Sequence, residues 1–414
     1  ESLARTKRPS LATALYCFEV VVTGCSSATM WSFRVMLHML ALVGAAAFSI
    51  GGPRRRYATA LSSYVDSLSS GQSSGPPGVS GYGQSSGAQS ALIIQNKGGG
   101  HGELGYHLAK MLAQEQGMKV VILNDGSAVD KEPFRSYPDI AHLGGGVTVH
   151  WINPADPAAV DAVLGGARFD VVYDNYAKDV DSGRHVAELA RRWNVKNYVF
   201  VSSAGMYTPG DEYPIVEKEP TKSTGQRSVE EYAAQIGLPW SSFRPQYIYG
   251  PKANKRDYLD WFFDRIVRGR PLPIPGSGQQ ITTLTDARDI AAMLAAVPKA
   301  GAAAHGQVFN CASGRVYTVD GIAQLAAKTV GVDPKSLNIV HYDPKALSSA
   351  PPKGAFPFRD SHFGVSAGKA RRILNWDSAY PLEIGMREWY ADYNARGRKD
   401  VDFSIDDAIL REVV

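Results

Sequence analysis

The chain is poor in cysteine. Three cysteines occur among 414 residues, and two of them, Cys17 and Cys25, lie in the N-terminal leader. Cys311 therefore stands alone after residue 90, which excludes an intrachain disulfide in that part of the chain. Such sparing use of cysteine is typical of a protein that works in a reducing compartment.

The main part of the chain also lacks an excess of positive charge. The first 90 residues hold seven of the 44 Lys and Arg but only three of the 40 Asp and Glu, which leaves 37 of each sign after residue 90. A uniformly cationic nucleic-acid-binding protein is thereby excluded. Any contact with nucleic acid must use a local basic patch.

A long membrane-spanning apolar run is missing too. Residues 30–50 carry one arginine, an apolar centre and small residues, which is typical of a signal peptide and too short for a stable transmembrane helix. Residues 51–66 contain Arg54-Arg55-Arg56 and are rich in Ser and Ala, as in a transit peptide. Residues 67–90, mostly Ser, Gly, Gln and Pro, predict a flexible linker.

The tandem leader, residues 1–66, resembles the two-part presequences that carry proteins into plastids lying inside secretory membranes. We therefore expect a protein of the plastid stroma with no membrane segment in its mature form. The alternative is that Met30 starts a plain secretory signal and that residues 1–29 are translated upstream sequence.

A glycine-rich turn opens the folded part. Residues 91–126 read as a short apolar strand, a glycine turn, an amphipathic helix and a second apolar strand, the first βαβ unit of a dinucleotide-binding fold. The turn fits both GxGxxG and GxxGxxG, and an acid follows the second strand, where a ribose-binding carboxylate is expected. The predicted cofactor-binding residues are Gly99, Gly100, Gly102, Gly105 and Asp125. The alternative is a glycine turn that only packs a helix on a sheet, with Asp125 as a turn former.

Apolar runs then alternate with helical segments of about ten to fifteen residues, which predicts an α/β fold with a doubly wound parallel sheet. From Pro245 onward, proline-rich pieces interrupt short helices. We assign residues 91–250 to a Rossmann-like nucleotide-binding domain. Residues 251–414 are assigned to a smaller C-terminal lobe that supplies sheet-completing and substrate-side segments.

Several phrases resemble landmarks of the extended short-chain dehydrogenase/reductases. Residues 201–207 are similar to the serine segment of that superfamily, and residues 243–251 to its Arg-Pro…Tyr-Gly-Pro segment. Residues 285–290 and 308–314 fit two further landmarks. The resemblance covers essentially residues 91–414 and implies a Rossmann-like fold that binds NAD(P).

The catalytic tyrosine and lysine of that superfamily are missing. Its chemistry uses a Ser, here Ser203, with a Tyr proton donor and a Lys four residues later that lowers the tyrosine pKa. Residues 222–227, where the Tyr belongs, read KSTGQR and contain neither a tyrosine nor the partner lysine. Oxidoreductase activity is therefore not expected. A reductase or sugar-nucleotide epimerase with a non-standard donor, such as Tyr207 or Tyr213 with Lys218, stays open as an alternative.

Further phrases resemble the chloroplast stem-loop-binding protein family, most closely its "a" branch. They are residues 261–265, 273–278, 341–345 and 356–363, with Gly99-Gly100-His101 in the turn and Asp174-Asn175 after the fourth strand. Members are atypical short-chain dehydrogenases of plastids that bind and cleave RNA, prefer stem-loops and use divalent metal. The resemblance implies an endoribonuclease that uses Mg²⁺, with NAD(P) retained or vestigial.

The same resemblance implies partners. Members associate with plastid ribosomes and with the transcription machinery, so we expect ribonucleoprotein partners and a homo-oligomer or a hetero-oligomer with a family paralogue. A non-catalytic scaffold on such complexes is the third hypothesis, beside the nuclease and the reductase.

Fold analogy gathers several polar residues at the mouth of the cleft. From these we predict Ser203, Asp174 and His101 as catalytic residues and Asp174 with Asn175 as metal ligands. A carboxylate and an amide oxygen suit hydrated Mg²⁺, although both side chains could instead satisfy backbone donors. His101 could bind phosphate, act as an acid, or only pack the loop. No spacing matches a dedicated nuclease motif, so the nuclease expectation rests on the resemblance.

The densest basic and aromatic segment is residues 252–270, where cations for phosphate alternate with rings for unpaired bases. The predicted RNA-binding residues are Lys252, Lys255, Arg256, Arg265 and Arg268. The alternative is that Trp261, Phe262 and Arg265 form core and an ordinary solvated face. Arg191-Arg192 with Lys196, and Lys369 with Arg371-Arg372, are secondary candidates.

Overall fold

The computed structural model describes residues 89–95, 101–126, 130–142, 146–208, 210–397 and 400–413, all within one compact unit that begins at Ser85. The predicted presequence and nearly all of the predicted linker lie outside the described residues, as do Gly99 and Gly100. Within the described part, no helix is both long enough and apolar enough to cross a bilayer.

The described residues contain short and medium strands along most of the chain. In chain order they are β1 (Ser90–Gln95), β2 (Lys119–Asn124), β3 (Val147–Trp151), β4 (Val171–Asn175), β5 (Asn197–Val201), β6 (Trp240–Pro245), β7 (Ile248–Tyr249), β8 (Leu272–Pro275), β9 (Ile281–Thr282), β10 (Thr285–Asp286), β11 (Gln307–Cys311), β12 (Tyr317–Thr318) and β13 (Ile339–Tyr342). Seven of these strands form one parallel sheet in the order β11-β6-β5-β4-β1-β2-β3. The order reverses beside β1, so a crevice opens between the carboxyl ends of β1 and β4.

Helices connect the strands and cover both faces of the sheet. They are α1 (Gly102–Lys110), α2 (Tyr137–Ala141), α3 (Pro157–Leu164), α4 (Val180–Trp193), α5 (Gly225–Gln235), α6 (Asp257–Ile266), α7 (Ala287–Ala300), α8 (Val319–Val330), α9 (Gly368–Leu374), α10 (Leu382–Ala395) and α11 (Ser404–Val413). The predicted doubly wound α/β fold is confirmed by this arrangement.

The apolar runs of the sheet are continuous because both faces are buried. In β1, Ala91 and Ile93 belong to one core, with Leu104 of α1 and Met293 of α7. Leu92 and Ile94, like their neighbours in adjacent strands, belong to the core on the opposite face, against α3, α4 and α5. Alternate residues of a strand face opposite sides, so a strand buried on both faces needs apolar residues at every position.

The chain after residue 250 builds a second core and also returns to the main sheet. Its core packs residues of α6, α8 and α10, including Phe262, Phe263, Ile322 and Trp389. One proline-rich piece forms β8, which pairs only with β13 and buries Leu272 and Ile274 between its prolines. From this same part of the chain, β11 pairs with β6 and thereby completes the sheet.

Candidate functional site

The N-terminus of α1 stands at the crevice, and glycine is required there by close packing. A Cβ on Gly105 would lie 2.5 Å from Oε1 of Gln95, and a Cβ on Gly102 would lie 2.6 Å from Cγ of Pro133. Both distances are shorter than real side chains tolerate. Glycine is therefore needed at both positions for close packing, whether or not a nucleotide binds. This is the alternative role stated for the turn.

A buried polar cluster holds the turn against the sheet. The Gln95 side chain donates to the carbonyl oxygen of His101 at 3.0 Å and accepts from Nδ2 of Asn175 at 2.9 Å. Nδ2 of Asn175 lies 3.2 Å from the same carbonyl oxygen. Asn175 thus fixes the backbone of His101, which has a left-handed φ of 54°. Its role in the structure is to position the loop.

Asp174 faces away from that cluster, and both of its carboxylate oxygens accept hydrogen bonds from protein donors. Its Oδ1 accepts the backbone N–H groups of Tyr176 and Ala177 at 2.9 Å each, and its Oδ2 accepts the hydroxyl of Tyr198 at 2.7 Å. The residue is 1% exposed. Adjacent residues of β4 point to opposite faces of the sheet, so Asp174 and Asn175 do not form a shared site. The prediction of these two residues as Mg²⁺ ligands, and of Asp174 as a catalytic residue, is corrected accordingly.

The described residues contain no group of three or more His, Cys, Asp or Glu side chains able to hold a metal ion. The described residues thus give the predicted Mg²⁺ site no support from such a group.

His101 remains at the crevice with its side chain partly exposed. Its Nδ1 lies 3.1 Å from Oε1 of Glu103, whose side chain is 1% exposed in the first turn of α1. A carboxylate that fixes an imidazole in this way sets both its orientation and its tautomer. Of the predicted catalytic residues, His101 is the one whose contacts suit proton transfer.

Asp125 lies at the carboxyl end of β2, beside the end of β1, since its N–H donates to the carbonyl oxygen of Gln95 at 3.3 Å. It is half-buried. This is the position from which a dinucleotide fold contacts ribose, and the assignment of Asp125 to that role stays a prediction.

A cavity of about 290 Å³ extends from the crevice over the ends of β4, β5 and β6. His101, Asn175 and Ser203 line one side. The hydroxyl oxygen of Ser203 accepts the N–H of Gly205 at 3.0 Å. The structure thus brings Ser203 and His101 to one cavity, as predicted from fold analogy, whereas Asp174 is turned away from it.

Aromatic rings form the opposite wall of the cavity. They belong to Tyr247, Tyr258 and Phe363. The Tyr247 ring centroid lies 5.1 Å from that of Tyr258 and 5.8 Å from that of Phe363. Sequence reasoning noted Tyr247 only as part of a family landmark and did not assign it to a binding wall.

The contacts of Tyr247 do not favour a role as the missing proton donor. Its hydroxyl oxygen accepts the backbone N–H of Arg359 at 2.9 Å. Burial raises the pKa of Tyr247 to about 12, and the Arg359 contacts only partly oppose that rise. A proton donor for a carbonyl needs the opposite shift. From α5, the side chain that lines the cavity is Gln226, an uncharged amide that cannot lower a phenol pKa as a lysine does.

Three of the five predicted RNA-binding residues are engaged by acids of the same lobe. Arg256 pairs with Asp260 and Asp392, Arg265 pairs with Asp406 while almost fully buried, and Arg268 pairs with Asp264. The aromatic residues between them, Trp261, Phe262 and Phe263, are buried in the second core. The alternative of core plus a solvated face therefore agrees with the structure in its core part, whereas the arginines form ion pairs within the lobe instead of an ordinary solvated face.

The two predicted lysines have no acidic partner among the described residues. Nζ of Lys252 lies 2.8 Å from Oγ of Ser136 and near the Tyr106 ring. Lys255 is exposed, and its Nζ lies 4.7 Å from the centroid of the Tyr258 ring, which is part of the cavity wall. Lys255 thus lies beside one of the rings that line the cavity, although it is not itself a lining residue.

Arg359 was missed by sequence reasoning. It lines the cavity, its guanidinium stacks 3.9 Å from the Phe363 ring centroid, and Nη2 donates to the carbonyl oxygen of Gly205 at 3.0 Å. Within the described part of the chain, no acidic side chain pairs with it. In the sequence, residues 356–363 stand out only by their family resemblance. Arg359 is followed directly by the acid Asp360, so the segment does not read as basic.

The secondary basic candidates differ in how their charges are paired. Lys196 pairs with Asp170, and Arg371 pairs with Asp377. Burial lowers the pKa of Lys369, which is half-buried over the Phe309 ring.

Fold and cleft together define an atypical member of the nucleotide-binding short-chain dehydrogenases. The chain belongs to the NAD dependent epimerase/dehydratase family, whose profile matches residues 98–312.

One relative identifies a narrower family. The chain is 33% identical over 320 residues to the chloroplast stem-loop binding protein of 41 kDa b of Arabidopsis thaliana, covering 75% of this chain and 82% of that protein. The predicted membership in the chloroplast stem-loop-binding protein family is therefore confirmed. Its assignment to the "a" branch stays a prediction.

Solved structures agree on the fold. The dTDP-glucose 4,6-dehydratase of Bacillus anthracis in complex with NAD has a TM-score of 0.58 at 17% identity, covering 75% of this chain and 98% of that one. The UDP-glucose 4-epimerase of Thermotoga maritima with UDP-glucose has a TM-score of 0.54 at 20% identity, covering 74% and 99%. Both structures share the fold with this chain.

The described end of the turn keeps glycines suited to a dinucleotide, but it also carries an acid. Gly102, Gly105 and Asp125 stand where a Rossmann fold approaches pyrophosphate and ribose. Glu103, however, places a buried carboxylate in the same turn, and one of its oxygens, Oε2, has no hydrogen-bond partner among the described residues. NAD(P) is thus a cofactor of the family whose retention by this chain is open to test.

Proposed function

We propose that the chain is a plastid RNA-binding protein that takes stem-loop RNA at the mouth of the cavity. The relative of Arabidopsis thaliana is by name a chloroplast stem-loop binding protein. The observation that carries the proposal is a cavity lined by aromatic rings and Arg359, with Lys255 beside the Tyr258 ring; neither cation has an acidic partner in the described residues.

The chemistry of this cavity suits an unpaired nucleotide. Aromatic faces stack on bases at about 1–3 kcal/mol each. Cations beside them neutralise phosphate and release counterions. A volume of about 290 Å³ suits one base with part of its ribose rather than a large ligand. Stem-loops present unpaired bases and perfect duplexes do not, so this cavity favours the former.

The test compares a hairpin RNA with a fully paired duplex of the same stem by fluorescence anisotropy across a salt series. Wild-type protein should bind the hairpin more tightly, and Tyr258→Ala and Arg359→Gln should each weaken hairpin binding about tenfold while changing duplex binding little. Arg168→Gln is the matched control, because Arg168 is exposed beside the start of β4, at the other end of the sheet. Equal effects of all three variants would refute the cavity as the binding site.

We propose RNA cleavage as a second activity of the same cavity, since His101 is held by Glu103 next to Ser203. His101 would take the proton of a ribose 2′-hydroxyl as that oxygen bonds to the adjacent phosphorus. The phosphorus–O5′ bond breaks, and the departing oxygen takes a proton from water. A requirement for divalent ions would then be met by ions carried on RNA phosphates.

The products distinguish this route. Hairpin cleavage through the 2′-hydroxyl leaves a 2′,3′-cyclic phosphate, whereas metal-activated water leaves no cyclic end. His101→Gln should abolish the fragments without changing hairpin affinity. Binding without any fragments would favour the scaffold hypothesis, in which ribosome and transcription complexes are the partners.

A reductase or epimerase remains the alternative because of the family. It predicts that purified protein retains NAD(P) and oxidises NAD(P)H when a sugar nucleotide is added. The high pKa of Tyr247 and the neutral Gln226 argue against it.

A further inference from the structure

Glu103 is an unusual group to find in a phosphate-binding turn. It belongs to the first turn of α1 and is 1% exposed. Oε1 lies 3.1 Å from Nδ1 of His101, and Oε2 finds no hydrogen-bond partner among the described residues. A buried carboxylate oxygen without a donor normally carries a cost, so its position calls for a functional account.

The same turn is where a Rossmann fold receives pyrophosphate. A helix N-terminus attracts anions because its first N–H groups are unpaired and the helix dipole is positive there. In this chain the Glu103 carboxylate is an anion already attached to that turn. The Leu104 N–H is in addition bonded to the carbonyl oxygen of His101 at 3.2 Å. Little of the usual attraction is left for a second anion.

Burial of Glu103 strengthens the repulsion between its carboxylate and a second anion. Two like charges at short range repel far more strongly in a protein interior than in water, and salt screens buried charges poorly. A bound pyrophosphate would bring two negative charges beside Glu103, whereas an uncharged nucleoside would bring none.

We propose that Glu103 is a specificity-determining residue that makes the turn reject pyrophosphate-bearing nucleotides while it still admits uncharged nucleosides. The inference concerns the crevice beside α1 and does not depend on RNA binding. This role of Glu103 explains why the chain has a glycine turn, has Asp125 at the position that contacts ribose, and yet has an acid that would repel the phosphates of a dinucleotide.

The test measures binding of adenosine, AMP and NAD⁺ to the full chain by titration calorimetry. Glu103→Gln keeps the size of the side chain and removes its charge. It should raise NAD⁺ affinity on the order of tenfold to a hundredfold, raise AMP affinity less, and leave adenosine affinity unchanged. Glu115→Gln, an exposed acid past the end of α1, is the control and should change none of the three.

An unchanged NAD⁺ affinity in Glu103→Gln, or an equal rise for adenosine, would overturn the proposal. Thermal unfolding verifies that the variant is folded. Should Glu103→Gln not fold, Glu103→Leu removes the charge with an apolar side chain, and the same ordering of the three ligands is expected.

Discussion

Lys255 and Arg256 are neighbours in the sequence, yet the structure gives them different roles. Lys255 is exposed, with its Nζ 4.7 Å from the centroid of the Tyr258 ring, which lines the cavity. The Arg256 side chain is 12% exposed and bonds to Asp260 at 2.7 Å and to Asp392 at 2.8 Å, with its guanidinium 4.1 Å from the Trp389 ring centroid. Substituting each residue alone should therefore distinguish an effect on RNA binding from an effect on stability.

For Lys255→Ala we expect weaker RNA binding with an intact fold. Losing one phosphate-contacting cation should reduce the slope of log affinity against log salt by about 0.7–0.9. The free energy of unfolding should change by less than about 0.5 kcal/mol, because the side chain is exposed.

Arg256→Ala should have the opposite outcome. It removes two ion pairs and a stacked cation, and it leaves the mostly buried Asp260 without its positive partner. Breaking a partly buried pair of this kind costs about 2–4 kcal/mol of stability. RNA affinity at any salt concentration should change by less than about twofold, since little of the charge reaches solvent.

Both variants are compared by urea denaturation and by anisotropy with hairpin RNA from low to high salt. Lys335→Ala, an exposed lysine of the same part of the chain, serves as the control for nonspecific charge loss. The reasoning is refuted if Arg256→Ala lowers affinity and salt slope as Lys255→Ala does while stability stays at the wild-type value.

Further predictions concern buried acids. Glu230 and Arg244 are each 1% exposed and paired at 2.6 Å, so Glu230→Gln should cost about 3–5 kcal/mol in urea denaturation, while the exposed Glu231→Gln should cost under about 1 kcal/mol; equal losses would contradict this. Burial acts to raise the pKa of Glu230, but its hydrogen bonds and pairing with Arg244 outweigh burial and lower it. The stability that the pair contributes should therefore be complete above about pH 4.3, the unfolded value, and decline as pH falls through the lower folded value; a difference between wild type and Glu230→Gln that does not change below pH 4.3 would argue against it. Asp174→Asn should cost about 1–3 kcal/mol of stability and leave any Mg²⁺ dependence of RNA cleavage unchanged, as measured by EDTA titration.

The sheet was predictable because its signal is local. Most strands of the sheet are short apolar runs, and the connecting helices repeat at helical spacing, so the doubly wound parallel sheet followed from the βαβ pattern. The polar α11 was not predicted, and it supplies Asp406, which pairs with Arg265 across 141 residues of sequence. An ion pair between residues so far apart in sequence cannot be recognised from local charge patterns. For this reason the basic segment was interpreted as an RNA-binding surface.

One error could have been avoided from the sequence itself. Asp174 and Asn175 were placed at the end of a strand, and consecutive strand residues point to opposite faces. A pair at adjacent positions is therefore poorly placed to share one ion. By contrast, Arg359 and Tyr258 come from distant segments and line one cavity, so their proximity depends on how the later part of the chain folds back over the sheet.

The glycine turn does not by itself argue that a nucleotide binds. Gly105 would still be required by its contact with Gln95, and Gly102 by its contact with Pro133, if the crevice never held a cofactor. The informative positions are those whose charge matters to a ligand but not to packing. At Glu103 the chain carries a buried acid in the first turn of α1, and at Gln226 an uncharged amide lines the cavity. Unlike the two glycines, these positions bear on which ligand charge the cleft can accept, so substitutions there test ligand binding and not packing alone.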